Sequence, residues 1–313
     1  MARKEVLSVY VYQSEGKAMK TGVIDVGGGY RDIYGAGVLD VCMAERIRFD
    51  VCVGVSAGSA NLASYLSGQM GRSYNNYLDY VFRKEYMSLK NWFTKNNYTD
   101  TSYLYDMIWG SQGEDPLDFQ AMMANPAKFF VAACDACSGA LLWFDKSSFA
   151  QDCYDVFKAA CALPIINSVV QMGNRLLYDG GMVDPVPVKK AFEEGCDKVV
   201  VILTRPTNVP RGQGIDQIAA RLVEKHYPAA AERIRTRCER YNEGVAYAME
   251  MQDRGSALVL ATDNIDGLST LTRDKGKLEL LYQKGIRDAQ RIFDFLGIKG
   301  KTETLELNHA YGS

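Results

Sequence analysis

Three short stretches hold residue types and spacings that could do chemistry. Gly54-Val55-Ser56-Ala57-Gly58 reads G-x-S-x-G. When a strand precedes the serine and a helix follows it, this pattern makes a sharp elbow that exposes Oγ at a helix N-terminus. Glycines at 54 and 58 allow the bend, because a Cβ there would meet neighbouring backbone. Gly27-Gly28-Gly29-Tyr30-Arg31 also follows an apolar run, and consecutive glycines can turn several N–H groups toward one anion. Asp179-Gly180-Gly181 ends the apolar stretch LLYDGG, where a half-buried carboxylate could serve as a general base. Each stretch also has a plain reading: a glycine-rich turn with an incidental serine, a nucleotide loop, and a tight Asp-Gly-Gly turn.

The nucleotide reading fits poorly. G-x-G-x-x-G would need glycine at Asp32, and Asp50, at the right distance for a ribose-binding acid, precedes its strand. No Gly-Lys-Ser/Thr follows for a phosphate loop. The alternative is an oxyanion hole, where a preorganised N–H donor contributes about 3–4 kcal/mol to transition-state stabilisation. For the base, the chain has only two histidines, His226 and His309. The order Ser56, Asp179, His226 formally fits an α/β-hydrolase triad. His226, however, lies in a charged helical stretch broken by Pro228, and His309 lies in a polar tail, so Asp179 is the better base.

These residues need elements to hold them. Residues 21–26 and 50–55 read as buried strands, each followed by a helical pattern, over 33–46 and 59–66. Two strand–turn–helix units in succession begin a parallel α/β sheet. A hairpin is expected over 129–136 and 140–145, a helix over 149–161, a short strand ending in a tight turn over 176–181, and strands over 198–204 and 256–262. Helices are expected from about Val186, across the basic stretch 215–253 and over 274–297. Residues 72–128 are rich in aromatics, either as a cap over a ligand or as ordinary core.

Bulk composition excludes several classes. The 313 residues are 47% hydrophobic and 24% charged, with net charge −2, so nothing points to nucleic acid. The N-terminal stretch has no signal-peptide cleavage pattern and no apolar run is long enough to span a bilayer, so a cytoplasmic protein with reduced thiols is expected. Of eight cysteines, only Cys134 and Cys137 form C-x-x-C, inside the expected hairpin and without the second pair or histidines that zinc would need. No metal or cofactor is expected.

Taken in order, GGGYR, GVSAG and DGG resemble the patatin-like phospholipases, and DIYGAGVLDV and SAGSANLASYLSGQ resemble their bacterial branch. The resemblance covers roughly residues 20–205. It implies an α/β fold, a three-layer α/β/α sandwich with a mainly parallel central sheet. It implies a Ser–Asp dyad without histidine: Ser56 as nucleophile, Asp179 as base, oxyanion N–H groups from Gly28 and Gly29, and Arg31 shaping that loop. Gly54 and Gly58 would form the elbow and Gly180 and Gly181 the base turn. One departure is Asp32, where many members have glycine. The expectation is one patatin-like domain over 1–313, with 72–128 as a cap-like insert and 206–313 as C-terminal helices and a last strand. It would act as a lipid or lysolipid acyl-ester hydrolase with transient contact to a membrane surface. A catalytically weak, lipid-binding member of the same fold is the alternative. Arg233, Arg235, Arg237 and Arg240 read as a solvated helix face rather than a membrane contact, and Arg72, Arg83 and Lys84 as solvated surface rather than a head-group site.

Overall fold

The computed structural model describes residues 19–88, 91, 97–264 and 267–298. Its strands are β1 (Thr21–Asp25), β2 (Val51–Gly54), β3 (Lys128–Asp135), β4 (Leu141–Asp145), β5 (Val170–Met172), β6 (Arg175–Asp179), β7 (Lys198–Leu203) and β8 (Ala257–Ala261). Its α-helices are α1 (Ile33–Ala44), α2 (Ala57–Ser67), α3 (Arg72–Leu78), α4 (Phe119–Ala124), α5 (Asp155–Ala160), α6 (Val188–Glu193), α7 (Asp216–Val223), α8 (Pro228–Arg235), α9 (Arg237–Asp253), α10 (Lys275–Ala289) and α11 (Arg291–Leu296).

The strands form one sheet in the order β5-β6-β3-β2-β1-β7-β8, with β4 also paired to β3. From β3 to β8 the neighbours are parallel, while β4, β5 and β6 enter antiparallel. Parallel strands buried on both faces read as unbroken apolar runs, and β1, β2 and nearly all of β7 are fully buried. Alternate residues face opposite layers. Val23, Cys52, Val200 and Leu258 pack with α1, α2 and α10 through Leu39, Leu62 and Tyr282. Ile24, Val53, Val201 and Val259 pack with α6 and α9 through Val188, Val245 and Ala248. The result is the expected three-layer α/β/α sandwich.

The differences are local. The expected helix over 149–161 shortens to Asp155–Ala160, because the chain makes a bridge between Ala150 and Cys153 with Asp152 at φ 59°. The stretch 215–253 divides into α7, α8 and α9, with Pro228 opening α8. Strand β5 is too short to read from sequence; Gly173 turns it back onto β6. Of the described aromatics of 72–128, Tyr77, Tyr80, Tyr86, Tyr105 and Trp109 are buried and Tyr74, Phe82, Tyr98, Tyr103 and Phe119 pack half-buried against them, whereas Trp92 and Phe93 lie outside the described residues. Arg72 is not solvated surface. It is buried, with its guanidinium 4.1 Å from the Trp109 ring centroid and 3.5 Å from Asp115. Arg83 is half-buried and paired to Asp79 and Glu114, and Lys84 is exposed.

Among the described residues no helix is long and apolar enough to cross a membrane. No group of three or more His, Cys, Asp or Glu is placed there to hold a metal. All eight cysteines are free, and Cys137 sits in a turn where the Asp135 carboxylate accepts its N–H at 3.1 Å.

Candidate active site

Ser56 follows β2 directly and opens α2 at φ 53°, ψ −133°. That backbone is strained for any residue but glycine, at a cost of about 1–3 kcal/mol. The flanking glycines make it possible. A Cβ at Gly54 would lie 2.5 Å from the Ser59 Cα, and one at Gly58 would lie 2.3 Å from the Asp25 carbonyl oxygen. Ser59 Oγ donates back to the Ser56 carbonyl at 2.6 Å and holds the turn shut. The Ser56 residue is itself 9% exposed, yet it lines both cavities described below.

Strand register brings Asp179 to this elbow. β3 pairs with β2 through Val131↔Gly54 and, two residues on, with β6 through Ala133↔Asp179. β4 occupies the other edge of β3, so β6 continues the line where β2 ends. Asp179 is fully buried, and its Oδ1 accepts the Gly181 N–H at 2.7 Å. Oδ2 makes no hydrogen bond of full geometry. Burial pushes this carboxyl above its ordinary range, while the nearby Arg237 charge, the adjacent Ser56 hydroxyl and the Gly181 N–H pull the other way.

Sequence reasoning missed how the base turn is held. Arg237 Nε donates to the Gly181 carbonyl at 2.9 Å, and Arg240 donates to the Met182 carbonyl at 2.6 Å. The preferred reading of this arginine stretch as solvated is therefore corrected. Arg235 pairs with Glu224 and Arg233 donates to the Gly139 carbonyl, so all four arginines bind protein groups. Helical spacing gave no sign of this, because the partners are backbone carbonyls far along the chain. His226 is exposed on the surface, and His309 lies outside the described residues.

The glycine loop runs with Gly27, Gly28 and Gly29 at φ 70°, 145° and 62°. Its outer wall comes from distant segments: Thr204 donates to the Gly27 carbonyl at 2.7 Å, and the Thr270 carbonyl accepts the Tyr30 N–H at 2.9 Å. Among the described residues the Gly28 and Gly29 N–H groups make no hydrogen bond, which leaves them free for an incoming oxygen. Gly28→Ala would place a Cβ 2.1 Å from Thr204 Oγ1. We expect this variant to fold but to lose ester hydrolysis by about 10²–10³-fold in kcat, the size of one lost oxyanion donor. A loss under threefold would remove the loop from the chemistry.

Asp32 has a structural role here. It is fully buried beside Asp25 at the floor of the loop, and Asn61 Nδ2 reaches Asp25 Oδ2 at 3.2 Å and Asp32 Oδ2 at 3.1 Å. Asp25 Oδ1 accepts the Gly27 N–H at 3.1 Å. Burial pushes Asp25 up to about 6, and burial together with the neighbouring Asp25 charge raises Asp32 well above the ordinary carboxylate range, which favours a proton shared by the pair. A carboxyl raised on folding stabilises at low pH and loses that contribution as pH climbs through its folded value. Thermal melts from pH 5 to 8 should therefore show Tm falling for the wild type, and Asp32→Asn should flatten the fall. An unchanged slope would contradict the shared proton.

Two cavities meet at Ser56. One, of about 90 Å³, runs between Tyr30, Tyr77, Tyr86, Tyr105 and Leu163. The other, of about 710 Å³, is walled by the glycine loop, Arg31, Arg205, Arg211, Arg237 and Tyr241. Arg31 is 6% exposed, and its guanidinium makes no hydrogen bond to the glycine loop. Burial lowers it to about 10, with Arg205 adding repulsion. Among the described residues Arg31 Nε, Arg205 Nε and the Tyr241 hydroxyl have no hydrogen-bond partner, whereas Arg211 Nη2 donates to both carboxylate oxygens of Asp216, at 2.8 and 3.0 Å.

Comparison with known proteins gives the family and the fold. The family model of the patatin-like phospholipases matches residues 26–192, and that of a domain of unknown function, DUF6363, matches residues 227–297. YjjU, an uncharacterized protein of Escherichia coli strain K12, is 31% identical over 186 residues, which are 58% of this chain and 51% of YjjU. The chain thus spans about half the length of that relative. VipD from Legionella pneumophila superposes over 94% of this chain and 72% of its own, at a TM-score of 0.50 and 10% identity, a likeness of fold. The patatin match alone spans more than half of the sequence, and the chain belongs to the patatin-like phospholipases, a family of lipid acyl hydrolases.

Proposed function

We propose that the protein hydrolyses the acyl ester of a phosphate-bearing lipid or lysolipid through a Ser56–Asp179 dyad. The observation that carries this reading is the pairing of a strained, cavity-facing Ser56 with a fully buried Asp179 whose Oδ2 is uncommitted. Asp179 takes the proton as Ser56 Oγ attacks the ester carbonyl. The oxygen that becomes negative is held by the Gly28 and Gly29 N–H groups. Collapse of the intermediate leaves an acyl-Ser56, and Asp179 returns the proton to the departing alcohol. Water activated by the same carboxylate then releases the fatty acid. No residue other than these needs to move a proton, so histidine has no part.

The two cavities support a division of labour. The smaller, aromatic one suits an acyl chain, and the larger one suits a polar leaving group. The arginines that line it, Arg31 and Arg205 among them, favour a phosphate over a neutral head. The C-terminal helices belong to the same working unit, because Arg237 and Arg240 of α9 hold the base turn. A cytoplasmic enzyme working at a membrane surface is the setting this reading implies.

The test compares 1-acylglycerol-3-phosphate with the matching monoacylglycerol. The wild type should hydrolyse both, and the phosphate ester with at least tenfold higher kcat/KM. Arg205→Gln should cut that preference about tenfold. If wild type is inert toward both and toward simple p-nitrophenyl esters, the lipid-binding reading replaces the enzymatic one.

A further inference from the structure

We propose that Ile215, Ile218 and Leu222 on and beside α7 dock the protein onto an anionic lipid surface, with the mouth of the larger cavity facing the lipid. The three side chains are 65%, 56% and 62% exposed, far above what isolated packing would leave. Their spacing of three and four residues puts them on one helix face. The adjoining face is committed to the fold: Ala219, Ala220 and Val223 are buried against Tyr178, Met182, Ala230 and Ile234. The apolar surface of this helix therefore continues past the part that has a protein partner.

Position and charge select the occupant. Ile215, Asp216 and Ala219 form part of the wall of the cavity that reaches Ser56, so the exposed stripe stands at its rim. Val209, 50% exposed, lies on the preceding loop, two residues before the cavity-lining Arg211. Exposed Arg221 and Lys225 flank the stripe and make no ion pair among the described residues. The acids of the same helix are neutralised: Asp216 is bound by Arg211 and Glu224 by Arg235. An apolar stripe with an uncompensated basic flank is the pattern that seats a helix in the interface of an anionic bilayer. A second copy of this chain would place two like-charged flanks together, which disfavours self-association through this face.

The proposal rests on the lipid-hydrolase reading for its meaning, but its test does not use turnover. Ser56→Ala protein is mixed with vesicles of equal phosphatidylglycerol and phosphatidylcholine, and with pure phosphatidylcholine, and bound protein is measured by sedimentation. Binding to the anionic vesicles is expected, and it should weaken in high salt. Adding Ile215→Ser, Ile218→Ser and Leu222→Ser should reduce binding at least tenfold. Leu280→Ser, an equally exposed site on α10 (68% exposed), should not reduce it. Equal binding with and without the three substitutions, or no binding at all, overturns the proposal. So does a dimer, seen by analytical ultracentrifugation, that the triple variant splits. Vesicle binding without esterase activity would sink the hydrolase reading alone. Hydrolysis of dispersed esters by a protein that ignores vesicles would sink the docking alone.

Discussion

Ser56→Ala should lose ester hydrolysis by at least about 10⁴-fold, because it removes the nucleophile of the proposed dyad. Stability gives an independent readout of the same residue. Ser56 stands at φ 53°, ψ −133°, where alanine is as strained as serine. Its Tm should match the wild type. Glycine accepts that backbone without strain, so Ser56→Gly should be inactive yet more stable, by about 1 kcal/mol. Activity assays with thermal melts on both variants check this. A Ser56→Gly protein that melts lower than the wild type would show that the elbow is not strained.

Asp179→Asn should lose hydrolysis by about 10⁴-fold, the cost of removing a proton acceptor while keeping the shape of the site. It should also raise stability at neutral pH. The Asp179 carboxyl is fully buried, and burial is the largest influence, pushing it above the ordinary range despite Arg237 and Ser56. A carboxyl raised in the folded state stabilises when protonated, and the contribution is lost as pH rises from the unfolded value near 3.8 through the folded one. At neutral pH the charge is therefore a burden that asparagine removes. The gain in Tm should shrink as pH approaches 4. The same titration gives the pH profile: the base works only when ionised, so kcat/KM should rise with pH and then level. An Asp179→Asn protein that melts below the wild type at pH 8 would mean that the attraction of the nearby Arg237 charge outweighs burial.

Much of the site was legible because the chain marks it locally. Glycines at 54 and 58 and at 27–29 are positions where a Cβ meets backbone or Thr204, so sequence alone signals sharp turns at strand ends. The apolar runs of β1, β2 and β7 announce a parallel sheet in the same way. What sequence did not show depends on distance along the chain. Thr204 and Thr270 wall the glycine loop from 177 and more residues away, and Arg237 reaches Gly181 across 56. Nothing in helical periodicity separates an arginine that grips a carbonyl from one that faces water. Asp32 read as a departure from the usual glycine. Its partner, Asp25, is seven positions earlier on a different element, and only the fold brings the two carboxyls together over Asn61.

The most direct measurement of the dyad is fluorophosphonate labelling followed by intact and peptide mass, on wild type, Asp179→Asn and the double variant His226→Gln/His309→Gln. The dyad predicts one label on Ser56 in the wild type and in the histidine variant at similar rates, and almost none in Asp179→Asn. A folded histidine variant that fails to label, or an Asp179→Asn protein that labels at the wild-type rate, would contradict it.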